Sequence, residues 1–313
     1  MKEKGQEKWL APLRGVTIRA FRETFAGAIR EAGFTGAVAP FIPANPGFRA
    51  SRKIFSDLEP FPSSLPPSPS TSPSTFNLSP LTFNLSLPLV PQVIGKDPAS
   101  LRDWCKAVKD LGFDRADLNA GCPFPMIVRR GRGSGLFKTP DVLERLLEAG
   151  CDEMGPGRFS LKTRLGLARP DELRALMPMI NRYPLAMLTV HARTAQQMYE
   201  GEVDRAVFDE ILSLSKNPVI YNGDLSIDEG TSGGDCAGVM VGRGFVRALG
   251  ARDDAHELLR DYIARSREEL CGDHPVLGRM KELLSYWSVL PEWRRLWPMV
   301  KICRSVDELL SLI

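Results

Sequence analysis

The chain has 313 residues, 43% of them hydrophobic and 25% charged, with a net charge of +3. That is the composition of an ordinary globular protein, and a charge this small does not by itself mark a nucleic-acid partner. The opening "MKEKGQEKWLAPLRG" lacks an apolar signal core, and no apolar run is long enough to span a bilayer, so a cytoplasmic chain without a membrane partner is expected.

In chain order, short apolar runs alternate with segments of helical period. "WLAPL" (9–13) is read as the first strand, followed by a helix over 17–33 and the strand "GAVAPF" (36–41). Residues 57–88 break the pattern: they are dense in Pro and Ser and contain "TFNLS" twice, which fits a flexible insertion and neither helix nor central strand. The alternation then resumes with "LVPQVIG" (89–95), a helix over 98–112, and "RADLN" (115–119). A helix at 140–150 leads to "FSLKTR" (159–164), and one at 169–183 leads to "LAMLTVHA" (185–192). "PVIYNG" (218–223) and "AGVMVG" (237–242) complete eight strands, and three helical stretches fill 253–313.

Eight strands separated by helical crossovers predict parallel pairing closed into a (β/α)8 TIM barrel, with a helical appendage. The boundary is expected at 248/249. A doubly wound sheet is the alternative, although no G-x-G-x-x-G follows the first strand. The six cysteines are scattered without a C-x-x-C pair, which argues against a zinc site or disulfide framework and for reduced thiols. Trp287, Trp293 and Trp297 are read as packing residues of the helical region.

In this fold the active site lies at the C-terminal ends of the strands. Asn119 and Cys122 follow the fourth strand, Lys162 and Arg164 lie on the fifth, His191 on the sixth, Asn222-Gly223 on the seventh, and Gly242-Arg243-Gly244 after the eighth. Each has a plain structural explanation alone, but together they converge on one mouth. Glycine amides and Arg243 suit a phosphate, and Lys162 would supply positive charge beside an electron-rich cofactor such as a flavin.

The motifs "LAPLRGVT", "DLNAGCP", "GSGLF", "SLKTRLG", "TVHART", "VIYNGDL" and "GVMVGRG" resemble, in order and spacing, the tRNA-dihydrouridine synthases. The stretch "RMKELLSYW…WPMVKICRSVDELL" is most similar to the bacterial C-type subfamily, which implies position 16 of tRNA. The resemblance implies an FMN enzyme that uses NADPH to reduce a uridine in the D-loop. Ala11, Pro12 and Leu13 would border the flavin ring, Gln92 would hydrogen-bond to it, and Lys162 and His191 would contact it. Asn222, Gly223, Asp224, Gly242 and Arg243 would hold its phosphate end. Asn119 would face flavin and base, and Arg164, Arg129 and Arg130 would contact tRNA. Hydride would pass from flavin N5 to uracil C6, and Cys122 would protonate C5. For that role the thiol must stay protonated until hydride arrives. The 249–313 helices are expected to grip tRNA through Arg294, Arg295, Lys301 and Arg304, on a monomer.

Two other readings are compatible with the residues alone. One is a flavin barrel that reduces a small pyrimidine or enone. The other is a family member that binds RNA without catalysis.

Overall fold

The structure, a computed structural model, describes residues 6–58, 87–227 and 235–313. Ten strand segments are all parallel. They are β1 (Glu7–Leu10), β2 (Gly36–Val38), β3 (Ile42–Ala44), β4 (Leu89–Val90), β5 (Gln92–Gly95), β6 (Ala116–Ala120), β7 (Phe159–Gly166), β8 (Leu188–Thr194), β9 (Val219–Asn222) and β10 (Gly238–Val241). β2 pairs β4 and β3 pairs β5, so each successive pair, β2/β3 and β4/β5, is one barrel strand in two pieces. Pro91 separates β4 from β5, because proline has no N–H to offer the ladder. β1 pairs β10 on one side and β2 on the other, which closes the ring and excludes the doubly wound sheet. All eight expected strands are present in their expected places.

The crossovers follow the sequence pattern with local corrections. The helix expected over 17–33 is two short ones, α1 (Arg19–Thr24) and α2 (Ala26–Glu31), broken at Phe25. α3 (Pro98–Asp110) starts cleanly because the Asp97 side chain accepts from Ser100 N at 2.9 Å and Pro98 occupies the first turn. After β6 come the short α4 (Pro125–Arg129), then α5 (Pro140–Met154), α6 (Glu172–Ile180) and α7 (Arg205–Leu214). α8 (Arg243–Leu249) follows β10 directly.

The Pro/Ser insertion is narrower than its expected bounds of 57–88. Its first two residues belong to the fold: Asp57 Oδ1 accepts from Arg19 N at 2.5 Å, its carboxylate also meets buried Arg22, and Leu58 is buried. At the other end Pro88 O accepts from Ala37 N at 2.9 Å. Residues 59–86, and residues 228–234 of the β9–β10 connection, lie outside the described residues.

The barrel interior is divided. Trp9, Ala11, Val38, Val90, Met187, Ile220 and Met240 form a separate small apolar cluster. Trp9 fills it because its neighbour on β2 is Gly36, where a Cβ would lie 2.4 Å from the indole ring. The other inward positions, from β5 to β8, carry the buried polar residues Gln92, Asp117, Asn119, Ser160, Thr189 and His191.

The C-terminal helices α9 (Ala255–Glu269), α10 (Asp273–Trp287), α11 (Pro291–Ile302) and α12 (Val306–Leu310) pack on α1 and α8. One hydrophobic cluster runs from the barrel into these helices without a break at 248/249. Tyr262 packs edge-on against Phe21 and at a tilt against Phe25. The Trp287 and Trp293 indoles donate to Val246 O and Gly250 O, each at 2.7 Å. Both rings are buried, as packing residues should be.

Candidate active site at the barrel mouth

The turn after β6 is set by one side chain. Asn119 Oδ1 accepts from the backbone N–H of Gly121 at 3.1 Å and of Cys122 at 2.9 Å. It thereby bends the chain immediately after the strand and holds Cys122 at the mouth. Burial pushes the Cys122 thiol above its ordinary value, with a hydrogen bond from the Phe124 backbone and the charges of Arg164, Arg14 and Lys162 pulling the other way. The thiol is therefore protonated at neutral pH, which is the state a proton donor needs.

Strand register brings the remaining groups together. Asn119 pairs with Lys162, Arg164 with His191, and His191 with Asn222. Lys162 Nζ donates to Asn222 Oδ1 at 2.9 Å, and Asn222 Nδ2 donates to Met240 O at 2.7 Å. Each end of the Asn222 amide thus has a protein partner, and Asn222, expected to hold a phosphate, holds the lysine in place. Burial, with help from Arg164, brings the Lys162 ammonium down to about 8. His191 is held well below its usual range by burial and by Arg164, Lys162, Arg193 and Arg243, so its ring is neutral.

Arg164 is also placed differently from the expected tRNA contact. It is buried, and it donates to Gly121 O at 3.0 Å, Thr194 O at 2.8 Å and Met198 O at 2.7 Å. Those bonds tie the cysteine turn to the loop after β8. The guanidinium also lies 5.2 Å from the centre of the Tyr199 ring, whose other neighbours are Arg243 at 4.5 Å and the His191 ring at 6.3 Å.

At the turn after β9, Asp224 bridges Arg193 and Arg243, with the Arg243 bond at 2.7 Å. Asp224 has a φ of 41°, rare for a residue with a side chain, and the two ion pairs hold that backbone in place. Gly223 precedes it with a φ of 142°. Ala11, Pro12 and Leu13 meet the β10 turn: Ala11 N donates to Val241 O at 2.9 Å, and a Cβ on Gly242 would stand 3.0 Å from that of Ala11. Gln92 lies lower, its Nε2 donating to Asp117 Oδ2 at 2.7 Å and its Oε1 accepting from Asn119 Nδ2 at 2.9 Å.

These residues fit an anionic, hydrogen-bonding cofactor. The cations Lys162, Arg164, Arg193 and Arg243 outnumber the carboxylates Asp117 and Asp224. Two buried nitrogens, His191 Nδ1 and Arg193 Nη1, have no hydrogen-bond partner among the described residues. A buried polar atom without a partner is costly, and a ligand that hydrogen-bonds to it relieves the cost.

Sequence reasoning passed over Asp117, Arg193 and Tyr199. Arg193 was legible as the residue two past His191, hence on the same face of β8; Asp117 stands in the same relation to Asn119. Sequence reasoning also passed over the apolar edge of the cysteine loop. Phe124 and Met126 are 48% and 60% exposed, beside exposed Arg129 and Arg130.

The comparisons with known proteins bear on the family and the fold. The sequence model of the family described as Dihydrouridine synthase (Dus) matches residues 9–284. A probable tRNA-dihydrouridine synthase of Staphylococcus epidermidis is 30% identical over 169 residues, covering 50% of this chain and 51% of the relative. The probable tRNA-dihydrouridine synthase 2 of Bacillus subtilis is 32% identical over the same shares. The chain spans about half the length of the curated relatives it matches. Among solved structures, morphinone reductase aligns with a TM-score of 0.51 at 10% identity, over 77% of this chain and 83% of that one. An old yellow enzyme homologue from Zymomonas mobilis aligns with a TM-score of 0.51 at 11% identity, over 77% and 85%. At such identity the likeness speaks for the barrel fold alone. The family match extends over most of the chain and takes in every strand of the mouth described above, and on that ground the chain belongs to the dihydrouridine synthase family.

Proposed function

We propose that this chain is an FMN-dependent tRNA-dihydrouridine synthase, using NADPH to reduce a D-loop uridine in the cytoplasm. The observation that carries the reading is the Cys122 thiol, kept protonated by burial and fixed by Asn119 on the same mouth as Lys162, His191 and Arg243. FMN, when bound there, would carry hydride equivalents from NADPH to uracil C6. This chain's residues do the rest. Lys162 and neutral His191 line the cofactor side, while Arg193 and Arg243, steadied by Asp224, offer charge to a phosphate. Once C6 has gained hydride, C5 holds the displaced electron pair and takes the proton from Cys122 Sγ. The S–H bond breaks as the C5–H bond forms, and solvent returns a proton to the thiolate.

Arg129 and Arg130 flank the thiol turn and would neutralise tRNA phosphates while the base is drawn out of its stack. Residues 249–313 would form the second tRNA contact, and their resemblance to the C-type subfamily makes position 16 the proposed target. The test is direct. Purified protein should carry flavin absorbance and convert one uridine of a tRNA transcript to dihydrouridine with NADPH. A protein that binds flavin, oxidises NADPH and leaves tRNA unmodified, with unchanged dihydrouridine in tRNA from cells lacking the gene, refutes the proposal.

A further inference from the structure

Asp117 lies beneath the mouth, wholly buried, with no part in the chemistry above. It accepts from Gln92 Nε2 at 2.7 Å, Gln92 Oε1 accepts from Asn119 Nδ2 at 2.9 Å, and Asn119 Oδ1 accepts from the Gly121 and Cys122 amides. The two ends of this chain fix its direction. A carboxylate only accepts and a backbone N–H only donates, so the two amides between them have one orientation that satisfies every bond. Around Asp117 stand Lys162 and Ser160 from β7 and Gln92 from β5; only Lys162 is charged.

We infer that Asp117 is a positioning residue: its carboxylate locks the Gln92 amide so that Gln92 supports Asn119, and Asn119 in turn fixes the backbone that presents Cys122. The relay spans two adjacent strands and ends on the turn. An acid is favoured here over an amide because an amide can turn either way and a carboxylate cannot. Burial alone would disfavour a charge at this position, so its presence calls for a use. The functional consequence rests on the assignment of Cys122 as proton donor; the structural claim does not.

The test is amide hydrogen exchange at Gly121 and Cys122, read in flavin-free protein without tRNA, so its result is independent of whether the proposed activity is right. Asp117→Leu, branched at the same carbon but bulkier and unable to accept, should speed exchange at both amides about tenfold, the worth of one lost hydrogen bond. Asp117→Asn should speed it less. Adding Gln92→Glu to Asp117→Asn moves the carboxylate one position along the relay. That carboxylate would then accept from both neighbouring amides, Asn119 keeps its orientation, and protection should return. A filler role predicts the opposite: Asp117→Leu would leave exchange unchanged, and the added acid would lower protection. Either result overturns the inference. If Asp117→Leu does not fold, the comparison decides alone, since protection in the double variant must exceed that in Asp117→Asn.

Discussion

Lys162 and Asn222, sixty residues apart, are joined by a 2.9 Å hydrogen bond in which the lysine donates and the asparagine, itself anchored to Met240 O, accepts. This bond positions a cation in the half of the barrel where burial lowers its affinity for a proton to about 8. A lysine so lowered keeps its charge below that pH and loses it above. Flavin affinity should therefore weaken as pH rises through about 8, measured by fluorescence titration. Asn222→Asp would place a negative charge against the ammonium and move that alkaline limb up by about one unit or more. Binding that stays flat to about pH 10 in both proteins, well past the lysine's own titration, would show that its charge is not used.

Cys122→Ala should keep bound flavin and its reduction by NADPH while losing turnover on tRNA. Stopped-flow absorbance and dihydrouridine analysis separate the two half-reactions. The loss expected for removal of a general acid is on the order of a hundredfold to ten-thousandfold. Loss of flavin from the variant would contradict the role.

Asp117 makes a prediction about stability. Burial raises its carboxyl from the ordinary 3.8 to about 6, with Gln92, Ser160 and Lys162 pulling the other way. Between those values the folded state holds a proton that the unfolded state has released. Stability contributed at this site therefore declines as pH rises from about 4 to 6 and is level above. Asp117→Asn removes that decline, so its advantage in urea unfolding should be absent near pH 4 and reach on the order of 2–3 kcal/mol by pH 7. The same variant loosens the cysteine turn, a case of function retained at the expense of stability.

Arg164→Lys should act on loops and not on RNA affinity. Lysine is a single ammonium on a flexible stem and cannot reproduce the planar fork that reaches Gly121 O, Thr194 O and Met198 O together. Hydrogen exchange should rise in both the cysteine turn and residues 194–199, with the salt slope of tRNA binding unchanged. A reduced slope with normal exchange would restore Arg164 as a phosphate contact.

The edge of the cysteine loop divides into charge and apolar surface. Arg129→Ala and Arg130→Ala should each lower the salt slope of tRNA binding by about 0.7–0.9, the value for one phosphate contact. Phe124→Ala should weaken binding with the slope intact, as expected for a ring that contacts a base. Filter binding across a salt series reads both.

Much of this was legible in the sequence, and what was not has physical reasons. All eight strands were visible because buried parallel strands are short apolar runs between helical periods. The split at Pro91 was foreshadowed by the proline itself. The break at Phe25 was not, because helical periodicity continues through it. Site membership was readable from strand ends, but partner choice was not. Asn222 and Arg164 sit at positions from which either a ligand or a neighbour could be reached, and only the folded structure shows that Asn222 takes Lys162 Nζ and Arg164 takes three backbone carbonyls. Asp117 was hidden for a related reason, since a carboxylate in a strand interior reads as an anomaly until the two amides above it are seen.

The Trp287 and Trp293 indoles bond to Val246 O and Gly250 O, at and just past the helix that carries Arg243. The C-terminal segment is therefore a keel for the eighth strand's turn. Cutting the chain after residue 250 would not free a working barrel from an RNA-gripping accessory. It would strip two indole bonds and the Tyr262 face from the helix layer that carries Arg243, so the turn after the eighth strand would slacken.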